Sequence, residues 1–208
     1  MRESSRGQPE REPELSIILV SFNDRLRLER CLSSLEGEAR NLGAEVIVAD
    51  NNSTDGSQEL VRSSFPWVKL ITSSENLGYA RANNKGIRES RGEFILFLNP
   101  DTVIPGGALT ELLTGLEARP EAGAIGPALV HEDRSFQVSF GKKVGFLSEL
   151  VQKSIRNPYY KARLKAAARA REAGWLSGAC LLLRRQALEE AGLFDENFFL
   201  FFEDIDLC

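Results

Sequence analysis

Three polar strings carry most of the chemistry legible in this chain: Asn99-Pro100-Asp101, Asp50-Asn51-Asn52-Ser53-Thr54-Asp55, and Glu203-Asp204-Ile205-Asp206. Asp101 stands just past an apolar run, Phe94 to Leu98, so a rigid element holds its carboxylate while the oxygens face outward. Hard divalent cations such as Mg2+ or Mn2+ take oxygen ligands of this kind and commonly share them with substrate phosphates. A single aspartate is a sparse metal site, so a diphosphate and water must supply most ligands; otherwise Asp101 simply caps the following turn. Asp50 also closes an apolar run and can accept a hydrogen bond from a nucleobase N–H, with Asn51 and Ser53 forming an Asx-type turn behind it. The alternative is a hydrophilic turn in which Asp55 caps the next helix. In the third string, three acids within four residues follow Phe198-Phe199-Leu200-Phe201-Phe202. Adjacent carboxylates raise one another's pKa, which suits a general base working near neutral pH; the alternative is an acidic first helical turn favoured by the macrodipole. The aromatic run before it reads as core, with a lipid-contacting patch as the alternative.

Other chemistries lose support. His131 is the only histidine, set beside Glu132 and Asp133 in a turn, so a histidine-based triad is out of reach and any general base should be a carboxylate. Cys31, Cys180 and Cys208 make neither a C-x-x-C pair nor a disulfide framework; reduced thiols, with Cys31 and Cys180 in the core, fit a cytoplasmic protein. A net charge of -4 argues against nucleic acid as a partner. There is no apolar window of ~18 residues for a membrane span, and no apolar h-region near the N-terminus for a signal peptide. Neither a G-x-G-x-x-G nor a G-x-x-x-x-G-K-[ST] phosphate loop is present.

The elements that position these strings follow from hydrophobic patterning. Residues 1–14 are polar and proline-bearing, which predicts a disordered tail. Short apolar runs at 15–20, 46–49, 68–72 and 94–98 predict strands buried on both faces. Between them, residues 24–35 place Leu28, Cys31, Leu32 and Leu35 on one helical face, and helices are expected at 57–61, 79–88 and 108–118. A further strand is expected at 123–130, and regular patterning returns at 175–183 and 187–192. Residues 159–172, basic and rich in alanine, predict a connecting helix or else a basic flap over phosphates or on an anionic membrane surface. Strands alternating with helices predict an α/β fold with a mostly parallel central sheet covered by helices on both faces. In such sheets ligands bind beyond the carboxyl ends of the strands. Ser21-Phe22-Asn23, the Asp50 string and Asn99-Pro100-Asp101 all lie at those ends.

Several segments in this order resemble glycosyltransferase family 2, the inverting GT-A enzymes, and especially its bacterial rhamnosyltransferase-like branch. They are Val20-Ser21-Phe22-Asn23, Val48 to Ser57, Glu75-Asn76-Leu77-Gly78 through Gly86, Leu98-Asn99-Pro100-Asp101, Trp175-Leu176-Ser177-Gly178-Ala179-Cys180, Gly192 to Glu196, and Phe202 to Leu207. The resemblance runs over residues 15–208. It implies a GT-A domain with a nucleotide-binding half at about 15–101 and an acceptor-side half at about 102–208. Val20, Ser21 and Asp50 would line the nucleobase pocket, with Arg81 near the base or phosphates and Asn23, Asn52 and Asn99 completing the nucleotide side. Asp101 matches the end of the family's D-x-D metal motif, with Asn99 in place of its first acid. Asp204 matches the catalytic base, with Glu203 beside it, while Trp175 and Gly178 belong to the acceptor side.

The resemblance implies transfer of a sugar, rhamnose being the favoured one, from a dTDP- or UDP-linked donor to a hydroxyl of a cell-surface polysaccharide or lipid-linked glycan precursor. Membrane contact would be peripheral, at the inner face of the cytoplasmic membrane, or made through a C-terminal part that family members carry beyond the position of Cys208. Truncation and an inactive, donor-binding fragment are therefore an expectation alongside the enzyme, with a nucleotidyltransferase as a third reading.

Overall fold

Burial on both faces requires apolar side chains to alternate between two cores, and the strands do so. The computed structural model describes residues 12–141 and 172–208; apart from residues 12–14 and 172, the expected tail at 1–14 and helix at 159–172 lie outside them. Strands β1 (Leu15–Ser21), β2 (Glu45–Asp50), β3 (Lys69–Thr72) and β4 (Phe94–Leu98) alternate with helices α1 (Arg25–Leu42), α2 (Ser57–Ser64) and α3 (Gly78–Glu89). Then come α4 (Ala108–Glu117), β5 (Ala124–Ile125), β6 (Phe140–Gly141), β7 (Trp175–Leu176), β8 (Cys180–Arg184), α5 (Arg185–Ala191) and α6 (Glu203–Leu207). The main sheet has the order β3-β2-β1-β4-β8-β5; β1 is parallel to β2 and β4, β2 is parallel to β3, and β8 runs antiparallel to β4 and β5.

Leu15, Ile17 and Leu19 of β1 pack with Leu28, Cys31, Leu32 and Leu35 of α1, with α2 and with α4, whereas Ile18 faces Ala80 and Ile87 of α3 and Leu188 of α5. β4 divides likewise, Phe94, Leu96 and Leu98 to one side and Ile95 and Phe97 to the other. Each such fully buried side chain contributes about 1.5–3 kcal/mol. Helix α1 outruns its expected end because Ala39 continues the buried face. It stops at Gly43, whose φ of 61° is left-handed and whose N–H turns back to the Arg40 carbonyl.

Two expectations are corrected. The strand expected at 123–130 shrinks to Ala124–Ile125, because Pro127 has no N–H to donate and its carbonyl takes the Ser139 hydroxyl instead. The run Phe198 to Phe202 is not core: Phe199, Leu200, Phe201 and Phe202 are 59%, 52%, 69% and 57% exposed. Of the five, Phe198 joins the apolar cluster around α3, and Phe199 rests one ring edge against Gly78. Left-handed φ angles at Phe201 and Phe202 turn the chain so that Glu203, rather than the aromatics, enters the interior. The patterning at 175–183 likewise resolves into two strands, β7 paired with β6 and β8 in the main sheet.

Cys31 and Cys180 are buried free thiols whose pKa burial raises to about 12; Cys208 is exposed, although partial burial of its sulfur raises its pKa as well. Mass spectrometry of the native protein treated with a thiol reagent at pH 8 should find label on Cys208, with Cys31 and Cys180 modified only once denaturant opens the fold.

Candidate active site

The first half of the site is a pair of strand tips. Ser21 and Asp50 are register partners at the ends of β1 and β2, so a hydroxyl and a carboxylate stand side by side. Both residues are buried, at 0% and 1% exposure. Asp50 Oδ1 accepts hydrogen bonds from the Ser53 N–H (2.9 Å) and from Gln58 Nε2 (2.7 Å). Among the described residues, Asp50 Oδ2 and Ser21 Oγ have no partner. A buried polar atom left unsatisfied costs about 1–3 kcal/mol, and the pair can receive a ligand edge with an N–H for the carboxylate and an acceptor or donor for the hydroxyl. A planar heterocycle with adjacent N–H and C=O groups supplies both.

The surrounding loops are built from their own side chains. Asn23 accepts the Thr54 N–H (2.7 Å) and its own N–H donates to Ser53 Oγ (2.9 Å), which ties the β1 and β2 loops together. Asn23 and Asn52 both sit at left-handed φ, 51° and 67°, a conformation asparagine tolerates. Asp55 accepts the N–H groups of Arg25 and Ser57 at the starts of α1 and α2, so it caps as expected. Partial burial opposes its ionisation, but the Ser57 hydroxyl and these N–H groups hold its carboxyl below the usual range. Val20, next to Ser21 on β1, is half-buried. Asn51 reaches α3, its amide donating to the Gly78 carbonyl (3.0 Å).

The second half arrives on β8. Because β8 runs antiparallel to β4, it begins where β4 ends: Leu98 pairs with Cys180, and the Asn99 N–H donates to the Ala179 carbonyl (3.0 Å). Gly178 is thereby set beside Asn99 at the edge that also carries Ser21 and Asp50. Its N–H donates to Asp204 Oδ2 (2.8 Å), and its carbonyl accepts the Tyr79 hydroxyl (3.0 Å). A Cβ at residue 178 would lie 3.2 Å from Tyr79 Oη and 3.4 Å from the Asp204 Cβ, so glycine is what lets these groups close up. Asp204 is half-buried and still reachable, and its Oδ1 accepts the Ile205 N–H (2.9 Å). Glu203 is 5% exposed, and its Oε2 has no partner among the described residues. Burial, then the charge of Asp204, push its carboxyl above the usual range. The two acids are thus unlike: Asp204 can meet a substrate, and Glu203 lies behind it.

The loop ahead of Asp204 is clamped on α3. Asn84 holds Phe194 by both backbone groups (2.9 and 3.1 Å), and the Tyr79 N–H donates to the Phe199 carbonyl (2.7 Å). Arg81 joins this clamp, since its Nε donates to the Glu196 carbonyl (3.3 Å); among the described residues it bonds neither Ser21 nor Asp50. Trp175, on β7 three residues before Gly178, lays its indole against Gly141, and its Nε1 is buried without a partner among the described residues. Asp101 is exposed and, among the described residues, makes no hydrogen bond or ion pair, so its oxygens are free to ligate. No group of three potential ligands occurs among the described residues. A cation held at Asp101 would have to draw most of its ligands from substrate and water.

Gln58 and Tyr79 are the positions that sequence reasoning missed. The only cue to Gln58 was its place in the first turn of the helix that follows the Asp50 string. Nothing local pointed Tyr79 at a glycine 99 residues away.

The family profile described as Glycosyl transferase family 2 matches residues 16–192. The N-acetylglucosaminyl-diphospho-decaprenol L-rhamnosyltransferase of Mycobacterium tuberculosis is 33% identical, over 93% of this chain and 68% of that protein. A mannosyltransferase of Pyrobaculum calidifontis, solved in complex with GDP-Man and Mn2+, superposes with a TM-score of 0.65 at 21% identity, covering 95% of this chain and 51% of that one. Residues 1–349 of S. aureus TarS in complex with UDP give a TM-score of 0.66 at 20% identity, covering 92% and 53%. The chain thus spans about half the length of these solved structures, and they share its GT-A fold.

Proposed function

The chain belongs to glycosyl transferase family 2, and on that footing we propose that it moves a sugar from a nucleotide-diphosphate donor to a hydroxyl of a polysaccharide or lipid-linked glycan, inverting the anomeric carbon. The observation that carries this reading is the pair of orphaned, buried atoms at the strand tips, Ser21 Oγ and Asp50 Oδ2, on the sheet edge to which Gly178 brings Asp204. A uracil or thymine ring offers the adjacent N–H and C=O that this pair requires. Guanine presents the same adjacent pair, so the strand tips alone do not choose the base; a dTDP- or UDP-linked donor is the one the family resemblance favours, and the rhamnosyltransferase relative favours rhamnose as the sugar.

Asp204 accepts the proton of the acceptor hydroxyl, and the oxygen then attacks the anomeric carbon from the side opposite the diphosphate. One displacement inverts the configuration. Asp101, with Asn99 beside it, would hold the divalent cation, Mg2+ or Mn2+, that neutralises charge on the departing diphosphate. The mannosyltransferase of like fold, solved with Mn2+, is a precedent for that metal. The exposed apolar residues from Phe199 to Phe202 lie within five residues of Asp204, which suits an acceptor carrying a lipid. No helix among the described residues is long and apolar enough to cross a membrane.

The test is a calorimetric screen of UDP-, dTDP- and GDP-linked sugars with and without Mn2+. A pyrimidine-linked donor should bind, tightened by Mn2+. Asp101→Ala should remove the Mn2+ enhancement, about tenfold or more in Kd, and leave the metal-free affinity unchanged. Absence of binding by every nucleotide sugar would end this reading.

A further inference from the structure

The hydroxyl of Tyr79 has no role in the chemistry described so far, yet it lies at the centre of the geometry that fixes Asp204. Its O–H donates to the Gly178 carbonyl at 3.0 Å, while the Gly178 N–H donates to Asp204 Oδ2 at 2.8 Å. The backbone N–H of the same tyrosine donates to the Phe199 carbonyl at 2.7 Å, in the loop that leads into Glu203 and Asp204. Both ends of the Gly178–Asp204 hydrogen bond are therefore anchored on one residue at the start of α3. We infer that Tyr79 is a positioning residue for Asp204, its hydroxyl setting the place of Gly178 and, through the Gly178 N–H, the direction in which the carboxylate presents its free lone pairs. The inference rests on the reading of Asp204 as the base.

Packing alone does not account for the hydroxyl. The ring meets Phe194 edge-on at 6.2 Å, a contact that phenylalanine would make equally well. Burial also pushes the Tyr79 phenol up, so it remains a neutral donor across the working pH range. A mispositioned catalytic group slows the reaction without weakening substrate binding, because the loss falls on transition-state geometry.

The experiment compares wild type, Tyr79→Phe, Asp204→Asn and the double variant. It uses the pyrimidine-linked donor found by calorimetry and a polyprenyl-diphospho-sugar acceptor, with release of nucleoside diphosphate as the readout. Tyr79→Phe should lower kcat about tenfold and leave the donor Kd and KM unchanged. Added to Asp204→Asn it should cost nothing further, because the group it positions is gone. Hydrogen exchange should show the Gly178 amide exchanging about tenfold faster in Tyr79→Phe, with amides of the β1 to β4 core unchanged. A wild-type kcat, an unchanged Gly178 amide, or a further loss on the Asp204→Asn background would overturn the inference. Wild-type transfer by Asp204→Asn alone would instead remove the base assignment beneath it.

Discussion

Replacing Asp204 with asparagine is expected to slow sugar transfer by about a thousandfold, within the 10²–10⁴ range that a positioned general base contributes. At 25 °C that corresponds to about 4 kcal/mol of activation free energy. Asparagine keeps the shape and keeps an oxygen able to accept the Gly178 N–H that now bonds Asp204 Oδ2 at 2.8 Å. The Gly178 contact to the loop is thus kept, while the Ile205 N–H that now bonds Oδ1 at 2.9 Å loses its acceptor, and the capacity to take a proton is lost with it. Donor affinity should change by less than about twofold, since the strand-tip pair that would receive the base belongs to the other half of the site. Steady-state release of nucleoside diphosphate together with calorimetry separates these quantities. A variant that transfers at the wild-type rate would show that the acceptor proton goes elsewhere, and the buried Glu203 would then be the next carboxylate to test.

Gly78→Ala should be the most damaging single change outside the chemistry. Gly78 begins α3 at a φ of 79°, where an alanine costs about 1–2 kcal/mol. A Cβ there would come within 2.4 Å of the Phe199 carbonyl oxygen and 2.8 Å of the Phe199 ring. The backbone oxygen cannot swing away, because it is held by the Tyr79 N–H. Overpacking of this kind adds about 1–3 kcal/mol. Together these give a loss of about 2–5 kcal/mol, visible as a lowered midpoint in chemical denaturation. If the strain is relieved by pushing the loop off α3, kcat should fall even in the folded fraction, since that loop carries Asp204. A variant of unchanged stability and rate would mean that the loop does not rest on Gly78 in solution.

Much of the fold was legible because its signals are local. Continuous apolar runs such as Ile17 to Leu19 and Ile95 to Leu98 mark strands with two buried faces, and the polar strings that end them mark the ligand-binding edge. Asp50 was likewise legible, although the turn it begins is both things at once: Asp55 caps helices, while Asp50 keeps one oxygen free. What was not legible depends on pairings distant in sequence. The antiparallel course of β8 is set by its partner β4, and no pattern within Cys180–Arg184 distinguishes the two directions. Phe199 to Phe202 read as core because large apolar residues are usually buried, but that rule runs one way only. Two left-handed residues, invisible to hydrophobic pattern, decided that Glu203 goes inside instead.

The late arrival of β8 also sets an order of events during synthesis. Strands β1 to β4 and their helices are complete by Leu98, and β8 does not begin until Cys180. At about 5–20 residues per second, the outer edge of β4 waits roughly 4–16 s for its partner as the chain emerges. Through that interval Ile95 to Leu98 offer unpaired N–H and C=O groups on an apolar strand, the kind of edge that recruits other chains. The half that carries Ser21 and Asp50 can thus take shape first. The strand that brings Gly178 to Asp204 then closes the exposed edge as it completes the site.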